Sequence, residues 1–225
     1  MQIEIWSDLV CPWCYIGKRR FEAALAGFAH RDAVSVRWRS FELEPDAPRQ
    51  TSEPLVESLA ERKRMPVAQA QAMIEQVTGV AAADGLAYRL DLAQSGNTFD
   101  AHRLVHLAAE RGLGEAVTER LMRGYFSEGA AIGEREPLAS LAAEAGLEAE
   151  AVAGLLDGDA YADAVRGDER LAMELGIQGV PFFVIDGKYG ISGAQPAAAL
   201  REALEQIWAR EHPAPVAAGE SCDDG

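Results

Sequence analysis

Hydrophobic and polar positions change period several times along the chain, and each change marks an element. Gln2 to Ser7 alternates, Ile3 and Ile5 against Glu4 and Trp6, which predicts a short strand. From Pro12 to about Ala29 the spacing becomes helical: Phe21, Leu25 and Phe28 recur on one face. Pro12 suits the first helical position, where a missing N–H breaks no intrahelical bond. Val34 to Leu43 alternates again, with Val34, Val36 and Trp38 against Ser35, Arg37 and Arg39, and ends at Glu44-Pro45. A helix between two strands of similar length predicts a parallel pair joined by a right-handed crossover.

From about Thr51 to Asp157 the patterning is helical only. Val67, Ala70, Ile74 and Val77 share a face after Pro66. Asn97-Thr98-Phe99-Asp100 then caps a helix through Ala101, Leu104, Val105 and Ala108 that ends near Gly112. Further helices run through Val117, Leu121, Met122 and Tyr125, from Leu138 to Ala145, and from Ala151 to Leu156. A helix through Val165, Leu171, Ala172 and Leu175 stops at Gly176, and Val180 to Ile185 follows as a strand. Asp186-Gly187 is a favoured hairpin turn with Lys188 to Ile191 as the returning strand. Pro196 opens a last amphipathic helix through Leu200, Leu204, Ile207 and Trp208. These elements predict a discontinuous α/β domain over 1–48 and 160–211, an inserted helical subdomain over 49–159, and a flexible acidic tail over 212–225.

The chain has 225 residues, 48% of them hydrophobic, enough for an ordinary core. Its net charge of −15 disfavours nucleic acid and anionic membranes as partners. Met1 to Ile5 reads as strand rather than as a basic leader, and no run of roughly 18 apolar residues exists, so the expected compartment is the cytoplasm. There a Cys-x-x-Cys pair is redox-active or metal-binding more often than it is a permanent staple.

Two of the three cysteines form such a pair, Cys11-Pro12-Trp13-Cys14. In the first turn of a helix, unpaired amides and the positive end of the helix dipole favour a thiolate, making Cys11 a candidate nucleophile. Two other readings are inert core thiols and a zinc site. The second lacks ligands, since only Cys222 and scattered histidines could complete a set of four, and no metal is expected. Cys222 is incidental or a third redox thiol on the tail. His30, His106 and His212 have no partner spacing and are expected at the surface.

Cys11-Pro12-Trp13-Cys14-Tyr15-Ile16-Gly17-Lys18, Asn97-Thr98-Phe99-Asp100-Ala101-His102-Arg103, Gly179-Val180-Pro181-Phe182-Phe183 and Ile191-Ser192-Gly193-Ala194-Gln195-Pro196 occur in that order. Over residues 2 to 210 the chain resembles the thioredoxin fold with the inserted all-helical subdomain of DsbA-like thiol-disulfide oxidoreductases, and its motifs look like the FrnE-type branch. The tail departs from that branch, whose members can carry a second cysteine pair where this chain has one cysteine. The resemblance implies that Cys11 forms the mixed disulfide and that Cys14 resolves it. It also implies that Pro181 is a cis-proline, with Val180, Pro12 and Trp13 meeting the substrate. Asn97, Thr98 and His102 are either caps and packing residues or part of a lid in which His102 tunes a thiolate. Ser192, Gly193, Ala194 and Gln195 form a plain turn or an anion site for glutathione, the possible co-substrate.

No bound cofactor is expected, and the implied partners are substrate proteins or small thiols and disulfides, to a monomer or a dimer. The alternative is a glutathione-dependent transferase or isomerase of the kappa or 2-hydroxychromene-2-carboxylate isomerase type, polyketide-pathway isomerases included. Those place serine where Cys11 stands.

Overall fold

The alternation in Gln2–Ser7 forms strand β1, and both of its faces are covered. Ile3 and Ile5 pack on one side with Phe21, Phe28, Phe183, Leu200 and Leu204. Trp6 packs on the other with Ala172, Ile177 and Val184, and its indole N–H donates to the Asp168 carbonyl at 3.0 Å. The computed structural model in which these contacts are seen describes residues 1–213, so Cys222 and nearly all of the acidic tail lie outside the described residues.

Helix α1, Pro12–Ala26, stops three residues before Ala29 because Gly27 caps it, and Phe28 folds back into the core. Strand β2, Ser35–Ser40, runs parallel to β1 in the register Ile3 to Val36 and Ile5 to Trp38. It ends before Leu43, whose backbone amide donates to the Asp8 carboxylate at 2.8 Å instead of continuing a ladder. Strand β5, Phe182–Ile185, lies antiparallel to β1 and begins after Pro181, which has no N–H to give to a sheet. Strand β6, Tyr189–Ser192, closes the order β2-β1-β5-β6. The intervening turn places Asp186 and Gly187 at φ 49° and 66°, the left-handed pair that a tight hairpin needs.

Between β2 and β5 the chain is mainly helical, but the expectation of helices alone is corrected. Gln50–Pro54 (β3) and Gln94–Gly96 (β4) pair antiparallel. They hold no large apolar residue whose alternation could register, and Gly96 fits only because a Cβ there would fall 2.6 Å from the Gln50 Oε1. Helix α2, Leu55–Arg62, is a further element whose two turns carry too little periodicity to be read. The others are α3 (Val67–Ala83), α4 (Phe99–Glu110), α5 (Gly114–Glu128), α6 (Arg135–Glu144), α7 (Ala149–Asp157) and α8 (Ala162–Glu174). Helix α9, Ala197–Glu211, follows β6 and packs on α1. None of the described helices is long and apolar enough to cross a membrane.

Helix α1 belongs to two cores. Its first turns, with Cys14, Tyr15 and Ile16, pack among Tyr88, Leu104, Leu121 and Phe126 of the helical region. Its later turns, with Phe21 and Ala24, pack on the sheet. Lys18 marks the crossing: its ammonium is buried and paired with Glu22, Glu115 at 2.5 Å and Glu119 at 2.7 Å. Burial alone would lower its pKa, and the carboxylates more than reverse this. Tyr15 Oη donates to the same Glu119 at 2.8 Å, so α1 is fastened to α5 along a polar seam.

Candidate active site

Cys11 ends the loop leaving β1 and immediately precedes α1, with extended backbone and Pro12 behind it at the first helical position. The Cys14 and Tyr15 amides donate to its carbonyl at 3.0 and 3.4 Å. Cys11 is 5% exposed and Cys14, one turn deeper, 1%, while Trp13 between them is 41% exposed. Both cysteines are free. Burial pushes the Cys14 thiol well up and the adjacent Cys11 pushes it further; the Ser7 hydroxyl and the Asp8 amide pull the other way without reversing it.

Val180 and Pro181 face this helix start. The Cys11 thiol donates to the Val180 carbonyl at 3.7 Å, and the Val180-Pro181 peptide bond is cis. Helix α1 approaches so closely because residue 17 is glycine: a Cβ there would fall 2.8 Å from Pro181 Cγ and 3.5 Å from Ala194 Cβ. The Pro181 carbonyl in turn accepts the Gly193 amide at 2.8 Å, drawing the Ser192 to Gln195 turn to the same place. Cys11, Pro12, Trp13, Cys14, Val180 and Pro181 therefore converge, with Ser192 to Gln195 beside them. Two of that turn's donors are already used, since the Gly193 amide is bonded to Pro181 and the Gln195 amide to the Gly193 carbonyl at 2.9 Å.

Asn97, Thr98 and His102 stand at the start of α4. Asn97 Oδ1 accepts the Phe99 amide at 2.9 Å, so Asn97 rather than Thr98 makes the side-chain bond at the start of α4. His102 Nε2 is buried, has no hydrogen-bond partner among the described residues and stands 3.5 Å from Asp8 Oδ1. His106, expected at the surface, is corrected: it is largely covered, 3.1 Å from Asp168 and 3.2 Å from Ser40, in a cluster completed by Arg39 and Glu4. His30 and His212 are exposed and each stacks on Trp208, with ring centroids 4.2 and 3.9 Å apart.

Several residues of the site carried no signal that periodicity or spacing could register. Tyr88 donates to the Pro12 carbonyl at 2.7 Å and stacks on Phe126, yet it sits in the coil between α3 and β4. Burial raises its pKa, and the two cysteines add to the rise. Asp8, three residues before Cys11, was open to notice by proximity. Among the described residues no three His, Cys, Asp or Glu side chains come together as a metal requires.

The model of the DSBA-like thioredoxin domain matches residues 2–205. The chain belongs to this family. A solved DSBA-like relative, a probable DsbA oxidoreductase from Streptomyces coelicolor, is 49% identical with a TM-score of 0.90, covering 100% of this chain and 97% of that one. The cytosolic disulfide reductase DsbM from Pseudomonas aeruginosa is 25% identical with a TM-score of 0.63, covering 94% and 100%. The uncharacterized protein YwbO of Bacillus subtilis (strain 168) is 30% identical over 198 residues, 86% of this chain and 90% of the relative. Members of the DSBA-like group are oxidoreductases or isomerases, which places this chain among enzymes of that broad kind.

Behind this DSBA-like site, Glu42 accepts bonds from Asn97 Nδ2 at 3.2 Å and Arg166 Nη1 at 2.5 Å with its side chain fully buried. Burial and a hydrogen bond shared with Glu169 push the Glu42 carboxyl up to about 7, against the pull of His102 and Arg166. The folded state thus keeps a proton that the unfolded chain releases above its ordinary value of 4.5. Stability from this group is full below that value and falls as pH rises toward about 7. Glu42→Gln is expected to flatten the decline over this interval in urea melts taken at a series of pH values. An unchanged slope in the variant would refute the assignment.

Proposed function

We propose that the protein is a thiol-disulfide oxidoreductase that exchanges disulfides on polypeptide or small-molecule substrates through Cys11 and Cys14. The observation that carries this reading is the placement of two cysteines at the start of α1, Cys11 as its N-cap and Cys14 in its first turn, with the Cys11 sulfur against the Val180 carbonyl. In the reductive direction the Cys11 thiolate attacks one sulfur of a substrate disulfide. That S–S bond breaks, the departing sulfur takes up a proton, and a Cys11 mixed disulfide forms. Cys14 then loses its proton and attacks Cys11 Sγ, releasing the second substrate thiol. The substrate disulfide has gained two electrons and two protons, the Cys11–Cys14 pair has given them up, and an external dithiol or pair of thiols restores it. In the oxidative direction the same steps run backwards.

Trp13, the most exposed of the four motif residues, and the backbone of Val180, whose carbonyl accepts from the Cys11 thiol, are assigned to substrate contact. His102 is assigned to tuning through Asp8, the carboxylate it faces. A cytoplasmic setting belongs to the same reading, in keeping with the cytosolic reductase DsbM at 25% identity. Cys11→Ser is expected to abolish both insulin reduction and oxidative refolding of a reduced protein. Retention of either at the parental rate would sink the proposal. The glutathione-dependent isomerase reading makes the opposite forecast for Cys14, predicting full activity without it.

A further inference from the structure

The helical region carries a groove of about 630 Å³, within the range of roughly 300–1,000 Å³ typical of ligand sites, and one of its lining residues, Tyr88, reaches the dithiol motif. Leu55, Ile74, Gly79, Glu75 and Asp91 line it with Tyr88. Gly79 leaves the α3 side open, since a Cβ there would meet nothing within 4 Å. Tyr88 connects the groove to the chemistry: it is one of the lining residues, and its hydroxyl is bonded to the carbonyl of Pro12, between the two cysteines.

Among the described residues no lysine or arginine lines the groove, and its charged positions, Glu75 and Asp91, are both acidic. Asp91 is held by Arg89 at 2.7 Å, whereas among the described residues Glu75 takes a bond from the neutral Gln71 at 2.9 Å and has no cationic partner. The whole chain carries −15. Such a surface repels a ligand rich in carboxylates, glutathione included, and attracts a basic one.

We propose that this groove receives the part of a substrate polypeptide next to its disulfide, preferring apolar residues with a lysine or arginine among them. The inference rests on the disulfide-exchange reading and adds a substrate class to it. Half-buried Leu55 and Ile74 supply apolar contact, and Glu75 supplies the partner for the basic side chain.

The test uses the full-length protein and three disulfides: a peptide disulfide flanked by lysine and leucine, the same peptide with glutamate for lysine, and hydroxyethyl disulfide. The parent is expected to favour the lysine peptide in kcat/KM. Gly79→Trp should fill the groove and lower the ratio of lysine peptide to hydroxyethyl disulfide on the order of tenfold or more. Glu75→Lys, a change at an exposed position, should shrink or invert the preference between the two peptides. The groove assignment is overturned if the parent does not distinguish the peptides, or if both variants leave these ratios as they were. If the parent exchanges none of the three disulfides, the oxidoreductase reading itself fails and the groove assignment falls with it.

Discussion

Cys14→Ala is expected to convert the protein from a catalyst into a trap. On the disulfide-exchange reading, Cys11 still attacks a substrate disulfide and still expels one thiol, but the mixed disulfide has lost its internal nucleophile. Cys14 sits on the turn of α1 directly beneath Cys11, buried and adjacent to it, so its attack is intramolecular. Well-placed intramolecular groups act at effective concentrations of about 10⁵ M or more, whereas outside thiols work at millimolar levels, so release should slow by at least ~10³-fold. Intact mass under non-reducing conditions should show the variant carrying one substrate thiol on Cys11, removable by dithiothreitol. Turnover near the parental rate, or no adduct, would count against the assigned roles. The raised Cys14 pKa adds a second signature: the resolving thiol must deprotonate, so release of substrate in the parent should accelerate as pH rises.

The part of this site that was legible in the sequence is the part fixed by local chemistry. Cys11, Pro12 and Cys14 fall at a strand-to-helix junction that periodicity marks on both sides, and Asp186-Gly187 announces its hairpin by residue type alone. The sheet was legible too, because β1 and β5 bury Ile3, Ile5, Phe183 and Ile185 and pattern accordingly. What escaped was whatever depends on distant partners. The alternation puts Glu4 and Trp6 opposite Ile3 and Ile5 without saying what covers them; α8 covers Trp6, and Arg39 and Asp168 supply the polar partners that make this possible. His106 read as a surface residue for the same reason, since Asp168 and Ser40 lie 62 and 66 positions away along the chain. Tyr88, Glu42 and Lys18 are ordinary residues in sequence and acquire their roles only when Pro12, Arg166 and Glu115 are brought to them. Strands β3 and β4 escaped because Gln50–Pro54 and Gln94–Gly96 hold no large apolar residue whose alternation could be counted.

Arg103→Leu should produce the largest loss of stability. Helix α7 ends at Asp157, and the last carbonyls of any helix have no partner within it. Arg103, projecting from α4, supplies the donors: Nη2 bonds the Leu155 and Gly158 carbonyls at 2.6 Å each, and Nε bonds the Ala160 carbonyl at 2.8 Å. Its positive charge also suits the negative end of the α7 dipole. Asp100, one turn back on α4, holds Nη1 at 2.7 Å, so the guanidinium is oriented and paired while only 4% exposed. Leucine fills much of the volume but leaves the Gly158 and Ala160 carbonyls without this donor, the Leu155 carbonyl with the Gly158 amide at 3.3 Å and Asp100 with Arg49 at 3.4 Å, and removing one partner from a buried charged network costs about 3–5 kcal/mol. For a chain of this size that corresponds to a fall in Tm on the order of 10 °C, readable by calorimetry. Arg103→Lys should recover little, because an ammonium on a flexible stem cannot reproduce a planar fork aimed at three carbonyls. A Tm for Arg103→Leu within ~2 °C of the parent would show that the carbonyls find other donors. His102 is the neighbouring residue on α4 and faces Asp8, so loosening α4 should also disturb the groups behind Cys11. Exchange activity is therefore expected to decline at temperatures well below the global melt, and the two curves should separate more in Arg103→Leu than in the parent.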